Sequence, residues 1–106
     1  MKRIAAAIGA IGLLAASTAL AGDAAAGRQK AQQCQTCHGL DGKATIPEAP
    51  NLAAQGEIYL RKALTDYKTG ARKNDMMSVI APNLSDQDIE DLASYYSSLP
   101  PVSAAP

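Results

Sequence analysis

Both cysteines of the chain and its single histidine fall within five residues, Cys34-Gln-Thr-Cys37-His38. No other feature restricts the fold so strongly, because this grouping is open to only a few chemistries. A thioredoxin-like dithiol would require a strand leading into the motif and a βαβ setting. A closed zinc site would require a fourth N, S or carboxylate ligand, and the chain has no further Cys or His. A Cys34–Cys37 disulfide would close a very small loop and restrict little unfolded-chain entropy. The reading that needs nothing further is C-x-x-C-H as the attachment site of a c-type haem. At i and i+3 on a helical turn, both sulfurs reach one side of a planar macrocycle. His38, at i+4 from Cys34, stays on that face and offers an imidazole nitrogen to the iron.

The start of the chain supports this reading. Lys2 and Arg3 precede an uncharged apolar run from Ile4 to Ala16, and Ala19-Leu20-Ala21 makes an A-x-A site before Gly22. That is the pattern of a secretory signal peptide, so residues 1–21 are expected to be cleaved. The alternative is a membrane anchor, for which Ile4–Ala21 lies at the short edge. Removing the leader leaves 85 residues, with ten acidic side chains against eight basic ones (ten less Lys2 and Arg3), a balance of −2. A balance of zero or −2 argues against a nucleic-acid binder with a basic face. At 106 residues the chain is too short for a multidomain enzyme. The remaining 85 residues hold only nineteen large apolar side chains: two Val, four Ile, seven Leu, two Met and four Tyr. Domains this lean need disulfides, a metal or a large buried cofactor.

The pattern reads as all-α, with three amphipathic helices and no convincing strand. The first begins at Asp23, a good N-cap, and runs towards Cys34 with a stripe of small residues, Ala24, Gly27, Ala31 and Cys34. Such a stripe buries little area but lets another helix approach closely. The second helix spans about Glu57 to Thr69, with Leu60, Ala63, Leu64 and Tyr67 on one face and Gly70 at its left-handed cap. The third follows Ser85, which forms a capping box with Asp88. Asp86, Asp88, Glu90 and Asp91 place negative charge near the positive end of its dipole. Its apolar face is Ile89, Leu92, Ala93 and Tyr96, and Pro100-Pro101 stops it. Two loops, Gly39–Gln55 and Gly70–Leu84, separate the helices, and loops of that length call for a functional reason. The second contains Met76, Met77 and Pro82 and suits a short helical turn from Asn74.

The chain resembles a class I c-type cytochrome of the small bacterial single-haem kind. It is also similar to the repeat unit of two-haem bacterial cytochromes and to the haem subunit of flavocytochrome c sulfide dehydrogenase. The resemblance rests on Gly-Asp-Ala-Ala-Ala-Gly at 22–27, Cys-Gln-Thr-Cys-His-Gly at 34–39 and Ala-Pro-Asn-Leu at 49–52. It continues through Gly56, Leu60, Met77, Leu-Ser-Asp-Gln-Asp-Ile at 84–89 and Leu-Ala-Ser-Tyr-Tyr at 92–96. It implies a cytochrome c fold, three main helices plus loops wrapped round one covalent haem c with its iron. A single domain would cover 22–100, followed by a disordered tail at 101–106. It implies thioether bonds at Cys34 and Cys37 and axial ligation by His38 and a Met. In similar cytochromes that Met lies eight residues before the Ser capping the last helix, which points to Met77, with Met76 as the alternative. Both could instead be gap-filling core side chains. Pro50 matches the loop proline whose carbonyl accepts the other ring N–H of the histidine, and Gly27 would face Tyr95 or Tyr96. Tyr59, Arg72 and Asn74 are candidate contacts to the haem propionates, the alternative being a solvated surface role. The absence of Phe and Trp departs from many relatives and leaves aromatic packing to Tyr.

The expectation is therefore a periplasmic single-electron carrier rather than an enzyme, because His/Met ligation closes both axial positions. Its partners would be redox proteins: a membrane oxidase, a quinol–cytochrome reductase or a flavoprotein dehydrogenase. Neither nucleic-acid binding nor stable membrane insertion after cleavage is expected. The alternatives are a cytochrome subunit of a flavoprotein dehydrogenase complex such as sulfide dehydrogenase, and a haem enzyme with an open iron site. Arg61, Lys62, Lys68, Arg72 and Lys73 on one segment, and the acids at 86–91 on another, offer charge for docking.

Overall fold

A computed structural model describes residues 21–103, together with Arg3 and Gly9. The expected leader lies outside the described residues apart from Arg3, Gly9 and Ala21, as does the end of the expected tail, 104–106. The described residues form α1 (Ala24–Lys30), α2 (Gln35–His38), α3 (Glu57–Thr69), α4 (Met77–Ile80) and α5 (Asp86–Ser98). No strand occurs among them.

Asp23 caps α1 as the sequence predicts, its Oδ1 accepting from the backbone N–H of Ala25 at 2.9 Å and of Ala26 at 3.2 Å. The helix does not run unbroken to Cys34. After Lys30 the chain tightens into a 3₁₀ turn, Ala31–Gln33, before α2. An unbroken α-helix would put Cys34, seven residues after Gly27, within about 20° of it around the axis. The tighter winding gives Cys34 a different angular position from the one a continuous helix would. Both other long helices match their predicted limits, with Gly70 at φ +85° closing α3 and the Ser85–Asp88 box opening α5.

The core lies where α1 and α3 meet α5. Ala31, Leu60, Leu84, Ile89, Leu92, Ala93, Tyr95 and Tyr96 pack there as one cluster. Gly27 faces Tyr95 rather than Tyr96. A methyl group added to it would overlap the Asp91 carbonyl and come within 2.7 Å of the Tyr95 Cβ.

Asp91 is buried, at 3 % exposure, which the helical pattern does not foretell. Its carboxylate accepts from the Asp23 N–H at 2.9 Å, from Gln87 Nε2 at 2.8 Å and from Lys30 Nζ at 2.6 Å. Lys30 also pairs with Asp88 at 2.9 Å. Glu90 pairs with Arg61 at 2.8 Å and Asp86 with Lys68 at 3.4 Å. The acids of α5 thus serve as ties to α1 and α3, in addition to offering charge at the surface. Lys62 is likewise engaged, by Asp66 at 2.6 Å.

The clamp is sensitive to pH at both ends of the scale. Burial alone would raise Asp91, but Lys30, the Asp23 N–H and Gln87 outweigh it and hold the carboxyl below its ordinary range. Asp88 is lowered chiefly by the Ser85 N–H and then by Lys30, and Lys30 is raised by Asp91 and Asp88. Carboxylates with depressed folded values stabilise fully above their unfolded value, about 3.9, and lose that contribution as pH falls through the folded value. Lys30, raised, contributes fully below about 10.4 and loses its contribution as pH climbs through its folded value. The clamp is therefore intact between about pH 4 and pH 10. Asp91→Asn should cost about 2–3 kcal/mol at neutral pH, since it leaves Lys30 and the Asp23 N–H short of a buried charge. The gap to wild type in thermal midpoint should narrow as the pH falls below about 4, and a gap independent of acid would contradict the clamp.

Candidate functional site

The Gly39–Gln55 loop is folded back on itself by a few polar contacts. The Gly42 carbonyl accepts from Leu52 N–H at 2.8 Å and Ala53 N–H at 3.2 Å, and Asn51 Oδ1 accepts from Ala44 N–H at 2.8 Å. Gly42, at φ +76°, lies too close to Ala53 for a side chain. Its far end is tied to α5 by the Ala54 N–H to the Tyr96 carbonyl at 3.0 Å. This folding brings Pro50 to His38, whose Nδ1 lies 2.9 Å from the Pro50 carbonyl oxygen. A carbonyl only accepts, so Nδ1 carries the proton and Nε2 keeps its lone pair for a metal. His38 is 8 % exposed, and the contact fixes its ring plane.

The Gly70–Leu84 loop is organised by Asn74. Its Oδ1 accepts from the N–H groups of Met76 and Met77, both at 3.0 Å, and Ser78 Oγ accepts from the Asn74 N–H at 2.9 Å. Asn74 thus serves as the cap of the turn carrying both methionines, a task its place in the sequence hints at. Met76 is 58 % exposed, whereas Met77 is half-buried.

These loops and helices enclose a cavity of about 700 Å³. Cys34, Cys37 and His38 line it together with Met76, Met77, Pro50 and the whole expected face of α3, Leu60, Ala63, Leu64 and Tyr67. Tyr59, Arg72 and Asn74 line it too, so every candidate residue of the sequence reading meets at one place. Arg72 is held by stacking, its guanidinium 4.8 Å from the centre of the Tyr67 ring. Tyr96 and Leu92 of α5 contribute to the wall. Sequence reasoning placed Tyr96 in the apolar face but missed that its hydroxyl is buried without a hydrogen-bond partner. Periodicity reports which face a residue occupies and is silent about its polar atom.

The chemistry of the walls separates the readings of the motif. Burial pushes the Cys34 thiol up to about 11, which disfavours the thiolate that redox exchange or zinc binding needs. The two sulfurs are not joined to each other, and no group of three His, Cys, Asp or Glu side chains converges to hold a metal among the described residues. What the cavity offers is a mostly apolar chamber with two thiols, an oriented imidazole and two thioethers.

Residues 24–100 match the family model described as Cytochrome c. The chain belongs to the cytochrome c family. Cytochrome c4 of Pseudomonas aeruginosa is 51 % identical over 78 residues, which are 74 % of this chain and 39 % of that one. Cytochrome c-554(548) of Halomonas halodenitrificans is 47 % identical over 81 residues, 74 % of this chain and 98 % of its own. Crystalline cytochrome c4 from Pseudomonas stutzeri superposes with a TM-score of 0.71 at 46 % identity, covering 76 % of this chain and 47 % of the other. This cytochrome chain therefore spans about half or less of the c4 chains it matches and nearly all of c-554(548). Membership of the cytochrome c family carries a covalently bound haem c with its iron, and the residues present fit that group. The apolar chamber would take its ring, the thiols its attachment points, and the lone hydroxyl of Tyr96 remains for a polar contact. No helix among the described residues is long and apolar enough to cross a membrane.

Proposed function

We propose that the chain is a periplasmic carrier of single electrons, exported by a leader at 1–21 and folded as one domain over 22–100. The observation that carries this reading is the cavity that gathers Cys34, Cys37, His38 and Met77 from two separate segments. Bound there, haem c supplies a one-electron couple between ferric and ferrous iron. Cys34 and Cys37 anchor it covalently, and His38 presents Nε2 to the iron while Pro50 holds the imidazole in that tautomer. Met77 would supply the second protein ligand to the iron, because it is the less exposed of the two methionines and sits on a turn fixed by Asn74. Two protein ligands leave no site for substrate, so the chain exchanges electrons with redox proteins and performs no catalysis of its own. Tyr59 and Arg72, at the cavity wall, are the propionate contacts.

The far-red absorption band of a thioether bound to ferric iron tests the ligand set. Wild type should show it, Met76→Ala should keep it, and Met77→Ala should lose it while retaining covalent haem. Persistence of the band in Met77→Ala would transfer the ligand to Met76. Its absence in wild type would favour an open iron site and an enzyme.

A further inference from the structure

The hydroxyl of Tyr96 is the one buried side-chain polar atom among the described residues that makes no hydrogen bond within the protein. Its ring is 3 % exposed and lines the same cavity as Cys34. The neighbouring Tyr95, with ring centroids 5.1 Å apart, differs in this respect, since its hydroxyl donates to the Leu40 carbonyl. A buried hydroxyl left without a partner costs about 1–3 kcal/mol, and a phenylalanine would avoid that cost. The position therefore calls for an acceptor that the folded chain alone does not provide.

Cys34 is its neighbour. Cys34 packs against the core cluster to which Tyr96 belongs and lines the same cavity. Burial chiefly raises both groups, while Tyr96 lowers the Cys34 thiol and Cys34 raises the Tyr96 phenol. As a thiol, Cys34 is both a weak donor and a weak acceptor. Thioether formation changes that. The sulfur adds to a vinyl group, a C–S bond forms, the thiol hydrogen passes to the adjacent vinyl carbon, and no electrons are exchanged with a third reagent. The sulfur then has lone pairs and no proton, and the phenol beside it has a proton to give.

We propose that Tyr96 is a positioning residue whose hydroxyl donates to the Cys34 sulfur once haem is attached, raising the reduction potential of the cofactor. This rests on Cys34 being a thioether anchor. A donor on that sulfur withdraws electron density from the edge of the macrocycle and favours the reduced state, by the same logic through which hydrogen bonds around a redox centre set its potential.

The test compares holoprotein of wild type and Tyr96→Phe. Intact mass is read first; a wild-type chain lacking the covalent adduct overturns the attachment reading and this inference with it. With the adduct present, Tyr96→Phe should have a lower midpoint potential and an unchanged far-red band. An unchanged potential overturns the inference alone. The same substitution in a Cys34→Ala background, with Cys37 as the sole anchor, should produce no shift, and a shift that persists there would name another acceptor. Should that background fail to mature, proton NMR of reduced wild type decides. A slowly exchanging phenol proton close to the Cys34 β-protons supports the bond, and its absence overturns it.

Discussion

A chain carrying Cys34→Ala and Cys37→Ala is expected to lose cooperative folding altogether. The reason is the size of the chamber relative to the rest of the domain. Residual cavities cost about 24 cal/mol per Å³, so about 700 Å³ left unfilled amounts to about 17 kcal/mol, an upper bound because walls collapse and water enters. Small domains are stable by only about 5–15 kcal/mol. The walls concerned are not peripheral: Leu60, Leu92 and Tyr96 belong both to the core cluster and to the cavity lining. Without attachment these side chains lose one side of their packing, and nineteen large apolar groups cannot compensate elsewhere. Far-UV circular dichroism during thermal melting provides the measurement. A cooperative transition in the haem-free double variant would show that the protein part is self-sufficient.

Gly27→Ala should be the most damaging conservative change outside the cavity. On an isolated helix the substitution would gain about 1 kcal/mol from propensity. Here the added methyl would overlap the Asp91 backbone carbonyl. Backbone in the middle of a thirteen-residue helix cannot step aside as a side-chain tip would, so α1 and α5 must separate. Overpacking of that kind costs about 3 kcal/mol, which outweighs the propensity gain and leaves a net loss of about 2 kcal/mol. A further loss follows, because separation lengthens the Lys30–Asp91 contact. For a domain of this size the thermal midpoint should drop by about 10 °C or more. A variant as stable as wild type would mean that α1 slides along α5 without cost.

The helices were legible because their signals are local. Ser85 with Asp88, Gly56 and Gly70, and the spacing of Leu60, Ala63, Leu64 and Tyr67 each report on a few neighbouring residues, and α3 and α5 match their expected bounds. The site was legible because five consecutive residues announce it, and because the family resemblance located Pro50 and Met77 in loops that carry no periodicity. Three features escaped. The break after Lys30 carries no glycine, proline or capping residue to announce it. The burial of Asp91 carries no local signal because its partners, Asp23 and Lys30, lie 68 and 61 residues away. Tyr96 was recognised as apolar packing, but the isolation of its hydroxyl is defined by what every other element fails to bring near it.

The separation between Asp23 and Asp91 also governs when the domain can form. The contact that locks the first helix to the last cannot close until nearly the whole chain is available, and long-range closures of this kind are slow. A chain delivered N-terminus first thus spends its delivery time open, with Cys34, Cys37 and His38 displayed on unfolded backbone rather than sealed within walls. Both thiols are accessible for haem attachment throughout that interval.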